Sequence, residues 1–315
     1  MSRSGIMVGL SPTFRQTSFP SMGLKGFSFR FKHWACNGYT RMVTSASCSD
    51  QLQLQLQDKQ LSSPELVALE YADLNLPLPD KELGNVRIRQ HVNPLKTTFS
   101  VPVQVPHWNQ VFRDPTLPLM VDIGSGSGRF LMWLGKKNAG VRNYLGLEIR
   151  EKLVNRAQYW VKEINLDNVH FIYANATNSF KQVVSNYPGP LMLVSILCPD
   201  PHFKKRHHKR RVVQKPLVDS IAASLMDGGE VLIQSDVYEV AVDMRFQFDG
   251  ESNTLKHIDE VDSSVLCDSE GWLLKNPMGI RTEREIHAEF EGAKIYRRMY
   301  RKCFYQHEAI SSSSI

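Results

Sequence analysis

No stretch of the chain reaches the roughly 18 uninterrupted apolar residues that a bilayer-spanning helix requires, because Ser, Lys, Gln or Pro interrupts every apolar run. The chain is therefore expected to be soluble, with no membrane partner. Cysteine is sparse: the five residues Cys36, Cys48, Cys198, Cys267 and Cys303 stand far apart, with no CxxC pair and no Cys/His grouping at zinc-finger spacing. Reduced thiols and no metal are expected. Acidic residues are missing from the first 49 positions, which carry six Lys/Arg (Arg3, Arg15, Lys25, Arg30, Lys32, Arg41) and are rich in Ser, Gly and Phe. With no long apolar core to make it a secretory signal, this composition is that of an organelle transit peptide. Plentiful Ser and Thr without dominant Arg favour the chloroplast over the mitochondrion. Subtracting those six charges from the formal +6 leaves residues 50–315 near zero, so the pI of about 9.0 is no evidence for nucleic-acid binding. Such evidence has to come from local clustering. There is no internal repeat.

The length, 315 residues at 42% hydrophobic content, suffices for one full-sized core plus extensions. The expected division is a transit peptide over 1–49, a linker or extension over 50–85, a catalytic domain over 86–305 and a tail over 306–315. Residues 50–64, which open with alternating Gln and Leu from Gln51 to Gln57 and close in Ser-Ser-Pro, read as a linker or marginal helix, not as a packed element. Prolines at 77, 79, 94, 102, 106, 115 and 118 keep residues 76–118 from forming long helices. From Leu119 the pattern alternates. Strands are expected at 119–123, 143–148, 169–173, 191–197 and 230–234, with helices at 129–137 and 151–164 and further helical stretches between the later strands. This alternation predicts an α/β fold with a parallel sheet covered on both faces. Residues 249–270 are polar and acidic and read as an exposed loop before Trp272.

The first strand closes in Val121-Asp122-Ile123-Gly124-Ser125-Gly126-Ser127-Gly128, a GxGxG loop that lets backbone approach a ligand and leaves helix amides free to face it. The dinucleotide spacing GxGxxG is absent. Glu148 ends the second strand, where a carboxylate can accept hydrogen bonds from two ribose hydroxyls, a device that nicotinamide enzymes share. Asn175-Ala176 follows the third strand, where a side-chain amide could read an adenine amino group. Loop, carboxylate and Asn/Ala at successive strand ends together favour S-adenosylmethionine over a dinucleotide.

After the fourth strand comes Cys198-Pro199-Asp200-Pro201-His202-Phe203, then six Lys/Arg among the eight residues from Lys204 to Arg211. A carboxylate between two prolines is held stiffly where open α/β sheets bind ligands, and the adjoining cations suit phosphates. The order Pro-Asp-Pro departs from the Asn/Asp-Pro-Pro-aromatic pattern of base-amino methyltransferases and argues against an exocyclic amine as target. Residues 199–211 resemble the PDPWxKxRHxKRR signature of the tRNA (guanine-N7)-methyltransferases. Arg89-Gln90-His91-Val92-Asn93-Pro94-Leu95, Gln234-Ser235-Asp236, Asn276-Pro277 and Thr282-Glu283-Arg284-Glu285 agree with that family in order. The likeness spans about residues 86–303 and departs at His202, Asn175 and Asp122, where the family commonly has Trp, Asp and Glu.

The resemblance implies a Rossmann-like class I S-adenosylmethionine-dependent methyltransferase with a seven-stranded, mostly parallel sheet. It implies a bacterial-type enzyme in a plant organelle, a monomer without an obligatory partner subunit, acting on tRNA and not DNA. By position, Asp122, Gly124, Gly126, Glu148, Asn175, Ala176 and Asp200 would hold the cofactor, and Asp200 would be the catalytic residue. Lys204, Asp236, Thr282, Glu283, Arg284 and Glu285 would hold the target nucleoside. Arg206, His207, His208, Lys209, Arg210 and Arg211 would grip the RNA backbone. The implied product is 7-methylguanosine at position 46 of the variable loop, with His202, Phe203 or His107-Trp108 as candidate stacking groups. Competing readings are a methyltransferase for another RNA atom or a small molecule, a non-catalytic RNA-binding protein on a degenerate cofactor fold, and a dehydrogenase.

Overall fold

The computed structural model describes residues 61–77, 92–262 and 265–304. The transit peptide expected over 1–49, the Gln/Leu alternation of 51–57, the Arg89-Gln90-His91 portion of the family segment and the tail from 306 lie outside the described residues. Helices are α1 (Ser63–Glu70), α2 (Trp108–Val111), α3 (Arg129–Lys137), α4 (Glu151–Glu163), α5 (Ala176–Ser185), α6 (Lys215–Ser224), α7 (Tyr238–Asp249) and α8 (Glu283–Phe290). Strands are β1 (Leu119–Ile123), β2 (Asn143–Glu148), β3 (Val169–Tyr173), β4 (Leu191–Leu197), β5 (Leu225–Ser235), β6 (Leu255–His257), β7 (Glu260–Asp262), β8 (Val265–Leu266) and β9 (Tyr296–Lys302). Seven of them form one sheet in the order β3-β2-β1-β4-β5-β9-β6. Strands β1 to β5 pair in parallel, while β9 lies antiparallel to both β5 and β6.

Every residue of β1 and β2 is buried, as expected of parallel strands covered on both faces. Their pleat sorts side chains into two cores: Leu119, Val121 and Ile123 join one cluster, while Met120 joins the other. Helices α5, α6 and α7 supply the first cluster through Phe180, Ile221 and Phe248, and α3, α4 and α8 supply the second through Leu131, Trp160 and Ile286. At Gly128, a β-carbon would meet the Phe171 ring at 2.6 Å, so glycine permits α3 to start tight against the sheet.

Two expectations are corrected. Part of the supposed linker is core: Val67, Tyr71 and Leu74 are buried in the second cluster. Arg281 clasps Glu70 at 2.6 Å, and the Tyr71 hydroxyl donates to the Arg281 carbonyl oxygen, fastening the end of α1 to the entry of α8. The domain thus begins before residue 63, not at 86. Residues 249–270 are likewise not a plain loop, since β6 extends the sheet and β7 and β8 form a separate two-stranded sheet. Their apolar positions Leu255, Ile258 and Val265 are buried despite acidic neighbours. The same region brings His257, Asp259 and Cys267 together, with Nδ1 of His257 2.8 Å from Asp259 and Nε2 3.8 Å from the Cys267 sulfur. Sequence spacing conceals that grouping. Among the described residues, no helix is long and apolar enough to cross a membrane.

Candidate active site

The order β3-β2-β1-β4-β5 reverses its winding between β1 and β4, and a crevice at the carboxyl ends of such strands is where open α/β sheets bind ligands. Loops after all five strands meet there. Gly124, Gly126 and Gly128 have φ of 84°, 58° and 83°, a left-handed backbone that disfavours other residues. A β-carbon at Gly124 would meet nothing within 4 Å, so the loop leaves open space where a ligand's backbone-facing edge can lie.

Glu148 is 2% exposed and its carboxylate accepts four hydrogen bonds. Gly126 N donates at 2.9 Å, Arg150 N at 2.9 Å, and the Arg150 guanidinium through Nε at 2.8 Å and Nη2 at 3.0 Å. The glycine loop and the end of β2 are therefore tied together by one carboxylate, with Arg150 lying also in the field of Asp200. Arg150 is a site residue that the sequence reading passed over, although a cation two residues past a strand-end carboxylate was a visible signal.

Asp122 lies behind the loop, its Oδ1 accepting from the fully buried Ser195 hydroxyl at 2.6 Å. Burial, only partly offset by that bond and reinforced by the Glu148 charge, pushes its carboxyl up to about 7. Asn175 caps α5, with Oδ1 accepting from Thr177 N at 3.2 Å while Nδ2 donates to the Pro94 carbonyl at 3.2 Å. Ala176 follows as the first residue of α5 and is buried.

After β4 the chain turns sharply. Cys198 and His202, both non-glycine, adopt φ of 50° and 44° around Pro199-Asp200-Pro201. Such backbone is held only when its surroundings over-determine it. Here Cys198 N donates to Gln234 O at 2.7 Å, and the buried Arg211 donates through Nε to the Pro201 carbonyl at 2.9 Å. The Asp200 side chain is 28% exposed and accepts from His202 N at 3.3 Å. Burial pushes the Cys198 thiol up to about 12, so it stays protonated and unreactive at neutral pH.

Two predicted ligands are corrected by burial. Arg211 is 6% exposed and spends its guanidinium on Pro201, on Asp243 at 2.9 Å and on Glu239 at 2.8 Å. It braces the Asp200 turn against α7, its charge paired with two carboxylates. Glu285 is 0% exposed, and its carboxylate accepts from Arg297 at 2.5 Å, Asn276 at 3.0 Å and Gln234 at 3.1 Å. It anchors α8 and cannot touch a nucleoside. Thr282 caps that helix by accepting from Glu285 N. Glu283, by contrast, faces the glycine loop, accepting from the Ser127 hydroxyl and from Arg129 at 2.6 Å. Arg284 pairs with Asp236 at 2.5 Å, bringing two predicted nucleoside ligands together on the rim after β5.

The basic run forms a 3₁₀ helix over Lys205–Arg210, with Lys204, Lys205, Arg206 and Lys209 exposed. His208 lies 3.4 Å from Glu239. Partial burial and then the neighbouring Arg210, Arg206 and Lys204 hold the His207 imidazole below its usual range. Phe203 is exposed, whereas Trp108 is buried against Phe112 and Tyr187 and belongs to the core. The His107-Trp108 stacking expectation therefore fails at its tryptophan.

The family described as "Putative methyltransferase" matches residues 116–298. A tRNA (guanine-N(7)-)-methyltransferase of Synechococcus sp. (strain JA-2-3B'a(2-13)) is 45% identical over 222 residues, 70% of this chain and 86% of that protein. The protein of that name from Trichormus variabilis is 40% identical over 218 residues, 69% of this chain and 96% of its own length. Among solved structures, an rRNA methylase from Streptococcus thermophilus superimposes with a TM-score of 0.38 at 11% identity, over 60% of this chain and 89% of that one. At that level the superposition adds nothing to the strand order traced above.

Proposed function

The chain belongs to the tRNA (guanine-N7)-methyltransferase family, and on that footing we propose that it methylates the guanine at position 46 of tRNA with Asp200 as the catalytic residue. The reaction transfers a methyl group from S-adenosylmethionine to guanine N7. The observation that carries the assignment of Asp200 is its place in the strained turn after β4, at the reversal point of the sheet and directly before the basic helix.

The open glycine loop and the near-saturated Glu148 fit the cofactor. Gly124 and Gly126 would lie against it, and Glu148 would take ribose hydroxyls in place of the Arg150 guanidinium. Asn175 Oδ1 and Ala176 would face the adenine, and Asp122 would act through the loop it supports. S-adenosylmethionine, when bound, supplies an electrophilic methyl group. Guanine N7 carries an in-plane lone pair and no proton, so its attack needs alignment and no general base. The base gains positive charge as it reacts, and a fixed carboxylate at Asp200 stabilises that charge while it orients the ring. Lys204, Asp236, Arg284, Thr282 and Glu283 form the rim that receives the nucleoside, and Arg206, Lys209 and Arg210 attract the backbone. Extruding the base from folded tRNA costs a few kcal/mol, which these contacts offset.

The cyanobacterial relatives and the acid-free first 49 residues support a chloroplast location. Incubation with labelled S-adenosylmethionine and unmodified tRNA, followed by nucleoside analysis, is expected to yield 7-methylguanosine in the variable loop. Methylation at another guanine would overturn the position, and another methylated nucleoside would overturn the reaction.

A further inference from the structure

Beside the adenine-facing end of β3 lies a cleft of about 230 Å³ that sets Asn175, Lys209 and Arg210 against residues 94–100, a segment to which no role is given above. One wall is the segment from Pro94 to Ser100, and the other is the end of the basic 3₁₀ helix. The first wall is pinned to α5 by three side chains in succession: Asn175 donates to Pro94 O, Asn178 to Phe99 O, and Val103 N donates to the Ser179 hydroxyl at 3.1 Å. The Phe99 ring is braced edge-on against Tyr173 with centroids 6.0 Å apart.

Besides the buried Arg211, three cations line this cleft: Lys96, Lys209 and Arg210. Among the described residues none of the three forms an ion pair, and the Arg210 Nε is buried without a hydrogen-bond partner. That contrasts with the adjoining Arg211, whose guanidinium is spent on carboxylates and a carbonyl. A buried guanidinium N–H without an acceptor is costly unless an acceptor arrives. Cations beside an aromatic ring suit a nucleotide, whose phosphate pairs with Arg and Lys while its base lies on a ring.

We propose that this cleft binds one nucleotide of the tRNA outside the methylated guanine, its phosphate on Lys96, Lys209 and Arg210 and its base against Phe99. The proposal rests on the tRNA reading given above. It makes the 94–100 segment part of the substrate surface, so the RNA is gripped from both sides of the β3 and β4 ends and not by the basic helix alone.

The test is binding of unmodified tRNA to the full chain over a series of salt concentrations, with S-adenosylhomocysteine affinity measured in parallel by calorimetry. Lys96→Ala and Arg210→Gln are each expected to lower the slope of log K against log salt by about one. Phe99→Ala is expected to weaken binding roughly tenfold with the slope unchanged. Arg210→Lys should retain the slope, which separates lost charge from a disturbed fold. Unchanged slopes in a chain that makes 7-methylguanosine would overturn the cleft alone, and a wild-type chain that makes none would remove the reading beneath it. Loss of cofactor affinity in these variants would assign the cleft to the cofactor instead. Saturable binding of inorganic phosphate that does not compete with tRNA would assign it to a free anion.

Discussion

In the role proposed for it, Asp200 acts electrostatically on a reaction that releases no proton to a base. Its neutral isostere should therefore damage turnover and leave binding intact. Asp200→Asn is expected to lower kcat by about 100-fold or more, as for loss of one preorganised electrostatic partner, with tRNA affinity unchanged in a filter-retention assay. Asp122 carries a different consequence. Its folded pKa of about 7 lies above the unfolded carboxylate range, so between about pH 4 and 7 the folded state holds a proton that the unfolded state has lost. Stability from this group falls as pH rises through that window. Asp122→Asn, which can still accept from Ser195, is expected to raise the melting temperature at pH 8 and to flatten the decline between pH 4 and 7. A variant with the wild-type pH profile would contradict the raised pKa.

At the scale of elements, α8 and the basic helix are each held by one buried ion. Glu285 secures α8 to β5 and β9 through Gln234 and Arg297. Glu285→Ala leaves the Arg297 guanidinium, which is 6% exposed, with Gln234 at 2.9 Å and the more distant Glu289 at 3.5 Å, and is expected to destabilise the fold by about 3 kcal/mol in denaturant unfolding. Arg211 secures the Asp200 turn to α7. Because Glu239 and Asp243 remain partly in water, Arg211→Ala is expected to cost less, about 1–3 kcal/mol, and to lower kcat while leaving the salt dependence of tRNA binding unaltered. A reduced salt slope would restore Arg211 to the RNA surface. In sequence the two arginines of Arg210-Arg211 are indistinguishable. Only the turn of the 3₁₀ helix ties Arg211 to Glu239 and Asp243 of α7 and leaves Arg210 Nε without an acceptor among the described residues.

At the scale of the whole molecule, α1 belongs to the catalytic unit. A chain beginning after residue 85, where the expected division placed the start of the domain, lacks Val67, Tyr71 and Leu74 and the Glu70–Arg281 pair. Burial of three such side chains is worth about 5 kcal/mol, so this truncation is expected to melt well below a chain beginning at Gln60. Equal melting temperatures would return α1 to the status of an appendage. The contact also bears on function, because α1 fastens to Arg281, the residue before the Thr282-Glu283-Arg284-Glu285 motif at the rim of the site.

The five parallel strands, the glycine loop, Glu148 and the Asp200 turn were legible from the residues, because each is written locally. Runs buried on both faces read as apolar stretches, and turns need glycine or proline at fixed offsets. The antiparallel β9 was harder to read, since Arg297, Arg298 and Lys302 look exposed until Glu285, Asp249 and backbone carbonyls are brought opposite them. The pieces hidden from sequence share that cause: their partners lie far along the chain. Arg211 meets Asp243 32 residues on, and Glu70 meets Arg281 211 residues on. The sequence by itself determined the parallel strands and the glycine loop, which depend on apolar periodicity and local backbone freedom, and it carries the motifs whose family resemblance implied the reaction class. Tertiary structure decided which charged side chains stay exposed and which are consumed in bracing turns and helices, because a side chain's role as ligand or brace depends on the acceptor that folding places before it.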